Sequence, residues 1–122
     1  NPMYEVNGYE VRFKHYRYDI AVDTLVEWMK QGGVSASTID ACVEDIYSCM
    51  EQPINAPSLH GGKTKCYIID PATGKVIADG VALCSWRDNF CRKIGRDISF
   101  GRAWERLQEM IERNDTSVGG LD

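Results

Sequence analysis

Residues 85–113, SWRDNFCRKIGRDISFGRAWERLQEMIER, limit the fold more tightly than any other part of the chain. Ser85 is placed to cap a helix, with Asp88 three residues on as an imperfect capping-box partner. Phe90, Ile94, Ile98, Gly101, Trp104, Leu107 and Ile111 recur at three- and four-residue steps and mark one helical face. Arg92, Arg96, Arg102 and Arg106 fall within an arc of about 120° on a different face, at roughly 100° per residue. With Arg87 and Lys93 they place six cations in the first 22 positions. The pattern predicts one long helix. Gly95 and Gly101 each weaken it by on the order of 1 kcal/mol relative to alanine, so close approach of another backbone or a ligand is expected there. A break at 95–97, with Asp97 capping a second helix, is the other arrangement these residues allow.

The rest of the chain supplies what such a helix would cover. Asn7-Gly8 between apolar arms is the strongest short hairpin signal. The arm that follows alternates, with Tyr9, Val11, Phe13 and His15 on one face, and is expected to run as a strand to Tyr18. Residues 19–31 read as a helix ended by Gly32-Gly33. A second helix is expected from Ser37 as cap and Asp40 as capping-box partner, with Ile39, Cys42, Val43, Ile46, Tyr47 and Met50 as its seam. Residues 53–62 read as a loop. A second hairpin spans 65–84 around the turn Pro71-Ala72-Thr73-Gly74, and that turn accounts locally for Asp70. Ala78, Gly80 and Ala82 share one face of its second strand, which can accept a helix or an aromatic ring pressed close. The expected fold class is therefore α+β: an antiparallel sheet from two β-hairpins, an inserted helical pair, and a long C-terminal helix packed on the sheet. One domain over residues 3–114 is expected, followed by a disordered polar tail at 115–122.

Several function classes find no support. No apolar run approaches the ~20 residues of a membrane span, and no signal-peptide pattern opens the chain. Asn1-Pro2 ahead of Met3 reads as a cloning remnant, with Met3 the expected start. Five cysteines without CxxC spacing point to free thiols in a reduced cytosol. His15 and His60 stand alone, so no metal site is expected. Motifs of hydrolases and P-loop enzymes are missing, and His60 reads as a solvated loop histidine rather than a base. Residues 20–52 imitate a helix-turn-helix, but its second helix carries Asp40, Glu44, Asp45 and Glu51, and no Lys or Arg occurs between Gln31 and Gly62. Phosphates would be repelled, in line with a net charge of −4. Acidic helices of this kind suit mimicry of nucleic acid or a basic protein partner instead.

The basic cluster is open to two readings. Arg92, Lys93, Arg96, Arg102 and Arg106 interleave with Asp88, Asp97, Glu105 and Glu109, as a solvated helix face does. Alternatively, Trp86, Asn89 and Phe90 at an expected helix start join Arg96, Arg102 and Arg106 in a nucleotide-binding set. The set would combine aromatic rings for stacking, an amide for base or ribose edges, and guanidiniums for phosphates. Trp86 and Phe90 also suit the core, and for Phe90, on the apolar stripe, the core is the favoured place.

The run IADGVALCSWRDNFCRKIGRDISFGRA, residues 77–103, resembles a pattern of small bacteriophage and prophage proteins. In these a hairpin ends in Ala-x-Cys-Ser-x-x-Asp-Asn-Phe and leads into a helix bearing Gly-Arg and Gly-Arg-Ala. Among such proteins the pattern is similar to that of the anti-Thoeris sponges, viral proteins that sequester cyclic ADP-ribose isomers without degrading them. The resemblance spans residues 64–106 and leaves out the inserted helices. It implies a non-catalytic homo-oligomer without cofactor, working in the cytoplasm of an infected bacterium. Asn89 would meet a small cyclic nucleotide, and Arg96, Arg102 and Arg106 its phosphates. An inhibitor of a host defence complex, such as an anti-CRISPR, and a nucleic-acid-binding accessory protein are the alternatives.

Overall fold

An antiparallel four-stranded sheet and three helices make up the computed structural model, which describes residues 3–49 and 56–121. In chain order they are β1 (Tyr4–Val6), β2 (Tyr9–Tyr16), α1 (Ala21–Gln31), α2 (Ala36–Cys49), β3 (His60–Ile69), β4 (Val76–Asn89) and α3 (Arg92–Leu121). The strands lie in the order β1-β2-β3-β4, so β4 is an edge. This is the α+β class the sequence predicts.

Local chemistry explains most of the boundaries. Asn7 and Gly8 both take positive φ, 50° and 84°, the twist that closes a two-residue hairpin and pairs Tyr4 with Val11. α1 ends in a paired cap in which Gly33 N–H donates to the Lys30 carbonyl at 3.1 Å and Val34 N–H to Met29 at 3.0 Å. The cap of α2 is Ser35 rather than Ser37: its Oγ accepts from Thr38 N–H at 3.3 Å and lies 2.9 Å from the Thr38 hydroxyl. Asp40 is thereby released from capping. Asp70 closes the β3–β4 turn, its carboxylate accepting from Ala72 N–H at 2.9 Å and its carbonyl from Gly74 N–H at 2.7 Å.

The contacts divide the described chain into two compact units, where the sequence shows no linker. The first comprises Asn1–Lys14, Thr64–Ala82 and Arg92–Asp122; the second comprises His15–Lys63 and Leu83–Cys91. In the first, Val11, Cys66, Ile68, Ala78, Ala103 and Leu107 form the core, with Phe13, Phe100 and Trp104 packed against it. The small face of β4 does accept a helix. A methyl group at Gly80 would collide with the Ser99 carbonyl and come within 2.5 Å of the Ala103 nitrogen. Gly95 sits as tightly on Thr64, whereas Gly101 meets nothing within 4 Å.

The last helix differs from its expected form at both ends. It begins at Arg92, not Ser85, because β4 continues to Asn89. Ser85 Oγ accepts from Arg87 N–H at 3.2 Å, a local turn bond in place of a cap. The helix reaches Leu121 and so includes residues 115–121, expected as a polar tail; Asp122 lies outside the described residues. Its buried stripe is Gly95, Ser99, Ala103 and Leu107, whereas Ile94 and Ile98 are 58% and 42% exposed. Small residues win that face because β4 leaves no room for larger ones. Residues 60–62, expected within a loop, open β3 instead. The expected loop at 53–59 and the seam residue Met50 fall wholly or partly outside the described residues.

In the second unit Tyr18, Val26, Ile39 and Val43 form the core, joined by Val22, Met29, Val34 and Trp86. No helix among the described residues is long and apolar enough to cross a membrane.

Candidate ligand-binding cleft

The second unit contains a cleft of about 590 Å³. Its apolar lining includes Tyr18, Val22, Val26 and Ile39, the buried stripes of α1 and α2 with the ring that follows β2. Charge is arranged around that lining by helical spacing. Asp23, Glu27 and Lys30 stand at i, i+4 and i+7 of α1 and all reach the cleft, with His60 of β3 and Trp86 and Arg87 of β4.

Trp86 is held rather than merely packed. Its Nε1–H donates to Asp40 Oδ1 at 2.9 Å, and Arg87 pairs with the same oxygen at 3.1 Å. The Arg87 guanidinium lies 4.6 Å from the indole ring and the Lys30 ammonium 5.4 Å. One carboxylate thus fixes an aromatic wall and the cation beside it. Trp86 and Arg87 also line a second cavity of about 330 Å³ with Asp40, Val43, Leu83 and Cys84.

A second anchor holds α1 to the start of β3. Ser58, fully buried, lies 3.0 and 2.9 Å from the two oxygens of Asp23 and donates its proton to that carboxylate. The same hydroxyl accepts from His60 N–H at 3.0 Å, and the Ser58 carbonyl accepts from Arg17. Asp23 is therefore a fixed, already bonded acceptor.

The residues singled out by sequence divide between the units. Trp86 lines the cleft. Asn89 is exposed at the end of β4, a strand end and not a helix start. Phe90 is half-buried, 5.8 Å from the His15 ring and 5.0 Å from the Arg17 guanidinium, with Gly62 pressed against it. Arg96, Arg102 and Arg106 belong to the first unit. Arg102 donates to the Val81 carbonyl at 2.6 Å, and Arg106 to the Asp79 carbonyl at 3.2 Å and carboxylate at 3.0 Å. Both supply donors to the edge strand, one way in which a sheet edge is covered. Arg96 borders a cavity of about 210 Å³ with Tyr4, Phe13 and Phe100.

Sequence reading missed Glu27, Lys30 and the Asp40–Trp86–Arg87 clamp as site-forming groups. The i, i+4, i+7 line Asp23-Glu27-Lys30 beside Val22 and Val26 was the available signal; the clamp joins residues 46 positions apart and has no local one.

Thiol chemistry is held back in both units. Burial, with the Asp79 charge adding, pushes Cys66 up to about 12. Burial also raises Cys84, with Asp88 and Cys91 adding and a Gly61 backbone bond and Arg17 opposing. Neither is an activated nucleophile. Among the described residues no three His, Cys, Asp or Glu side chains cluster as a metal site would require. No protein-family model, no curated protein and no solved structure matches this chain.

Proposed function

We propose that this protein is a non-catalytic viral anti-defence protein that binds and sequesters a small cyclic nucleotide, a cyclic ADP-ribose isomer or a related immune signal. It would act in the cytoplasm of an infected bacterium. The observation that carries this reading is the Trp86 wall: an indole fixed by Asp40, flanked by Arg87 and Lys30, beside an apolar-lined cleft of about 590 Å³. A planar base can stack on the indole while the cations meet phosphate. The sequence resemblance over residues 64–106 supports the same class of ligand. Exposed Ile94, Ile98 and Met110 on α3 favour a second copy of the chain as a further contact.

The alternative, an inhibitor that docks a basic protein on the acidic face of α2, loses ground because Asp40 is already engaged by Trp86 and Arg87. Incubation with a panel of cyclic nucleotides, heat release and chromatography separates these roles. Intact recovery of a ligand is the expected result. An altered product means an enzyme, and no uptake from any member of the panel means a protein target.

A further inference from the structure

We infer that Glu27 is a specificity-determining residue of the cleft, reading hydrogen-bond donors on the ligand and turning away anions that have none. The inference rests on the ligand-binding reading of the cleft and adds to it the polarity of the site. Asp23, Glu27 and Lys30 follow one another along α1, so the cleft runs from acid to base over about 10 Å, at 1.5 Å of rise per residue. At the basic end stand Lys30 and Arg87 around Trp86. At the acidic end Asp23 is occupied by the Ser58 hydroxyl. Glu27 lies between these ends, exposed, and among the described residues it has no ion pair.

An uncommitted carboxylate is an acceptor only. It repels a phosphate brought within a few ångströms and attracts hydroxyl or amino groups. A ligand with phosphate at one end and a sugar diol or exocyclic amine at the other matches both ends. A bare polyanion matches one end and opposes the other. Glu27 thus selects the nucleotide over the inorganic phosphates that any cell contains in excess.

The test compares two probes that each carry a diphosphate, esterified at both ends in ADP-ribose and bare in inorganic pyrophosphate, against the intact protein and Glu27→Gln by calorimetry. Glutamine keeps the length of the side chain and removes its charge, and the exposed position leaves the fold intact, checked by the melting curve. The expected result is divergence: ADP-ribose weakens about tenfold or more through loss of charge-assisted bonds, while pyrophosphate tightens severalfold. A like change for both probes, or none, overturns the role of Glu27 while leaving the cleft as a nucleotide site. Failure of the unaltered protein to bind ADP-ribose and every cyclic nucleotide of the panel overturns the cleft reading and this inference together.

Discussion

Asp40 of α2 and Trp86 of β4, 46 residues apart, meet through one hydrogen bond of 2.9 Å, and the carboxylate oxygen that makes it also holds Arg87. Two segments with no local reason to associate are joined at one atom. Both the indole and the guanidinium face the cleft.

Removing that atom should therefore disturb fold and site together. Asp40→Ala leaves a half-buried indole N–H and a guanidinium without their acceptor. A cost of about 1–2 kcal/mol is expected, most of it from the N–H bond because the ion pair is largely exposed. Asp40→Asn keeps an acceptor for Trp86 and should recover most of the loss. Denaturant melts of the two variants check this; equal losses would mean that the charge of Asp40, not its acceptor, carries the clamp.

Trp86→Ala should weaken nucleotide uptake by about 1–3 kcal/mol, the usual worth of one base stacked on one ring. Trp86→Phe keeps a ring and should retain much of the affinity. Equilibrium dialysis with each variant measures the difference, and unchanged uptake by Trp86→Ala would remove the indole from the site.

Arg102→Ala tests the other reading of the basic helix. The guanidinium donates to the Val81 carbonyl at 2.6 Å, so its loss should lower stability by about 1 kcal/mol and leave ligand affinity as it was. Arg113→Ala serves as the surface control. Lost uptake with an unchanged melt would instead make Arg102 a ligand contact.

Gly80 and Gly101 should respond to alanine in opposite directions. At Gly80 the new methyl group meets the backbone of α3 at Ser99 and Ala103, and a loss of about 3 kcal/mol is expected. At Gly101 nothing lies within 4 Å, and alanine should stabilise the helix by about 0.5–1 kcal/mol. Thermal unfolding of the pair decides it.

Cys66 predicts a decline in stability at high pH. Its native value lies near 12 against an ordinary 9.0, so above pH 9 the unfolded chain gives up this proton while the native chain retains it. The unfolded state then binds fewer protons, and stability falls with rising pH by up to about 1.4 kcal/mol per unit until pH 12. Cys66→Ala should abolish that slope. Exposed Cys91 should react with iodoacetamide well before Cys66 does.

What was legible in the sequence was what neighbours along the chain decide. Asn7-Gly8, the cap after Gln31 and the turn at Asp70 each form from groups within a few residues of one another. The start of α3 was misread because Ser85-x-x-Asp88 imitates a capping box and Phe90, Ile94 and Ile98 imitate a seam. Hydropathy marks large apolar residues, yet the face that packs is Gly95, Ser99 and Ala103, and only their match to Ala78, Gly80 and Ala82 reveals it. Of the proposed binding residues, Trp86 lies in the cleft, but Asp40 reads from the sequence as a capping residue and only helical spacing from Asp23 marks Glu27 and Lys30.

The order of synthesis separates the two units in time. Every segment of the second has been synthesised once Cys91 is added, whereas the first must wait for α3. Until Ser99, Ala103 and Leu107 arrive, Cys66, Ile68 and the small face of β4 have no cover, although their strands are complete. A chain cut short before Arg92 therefore carries every segment of one unit but only a bare sheet face of the other, the kind of surface that holding chaperones take up and that neighbouring chains can pair with.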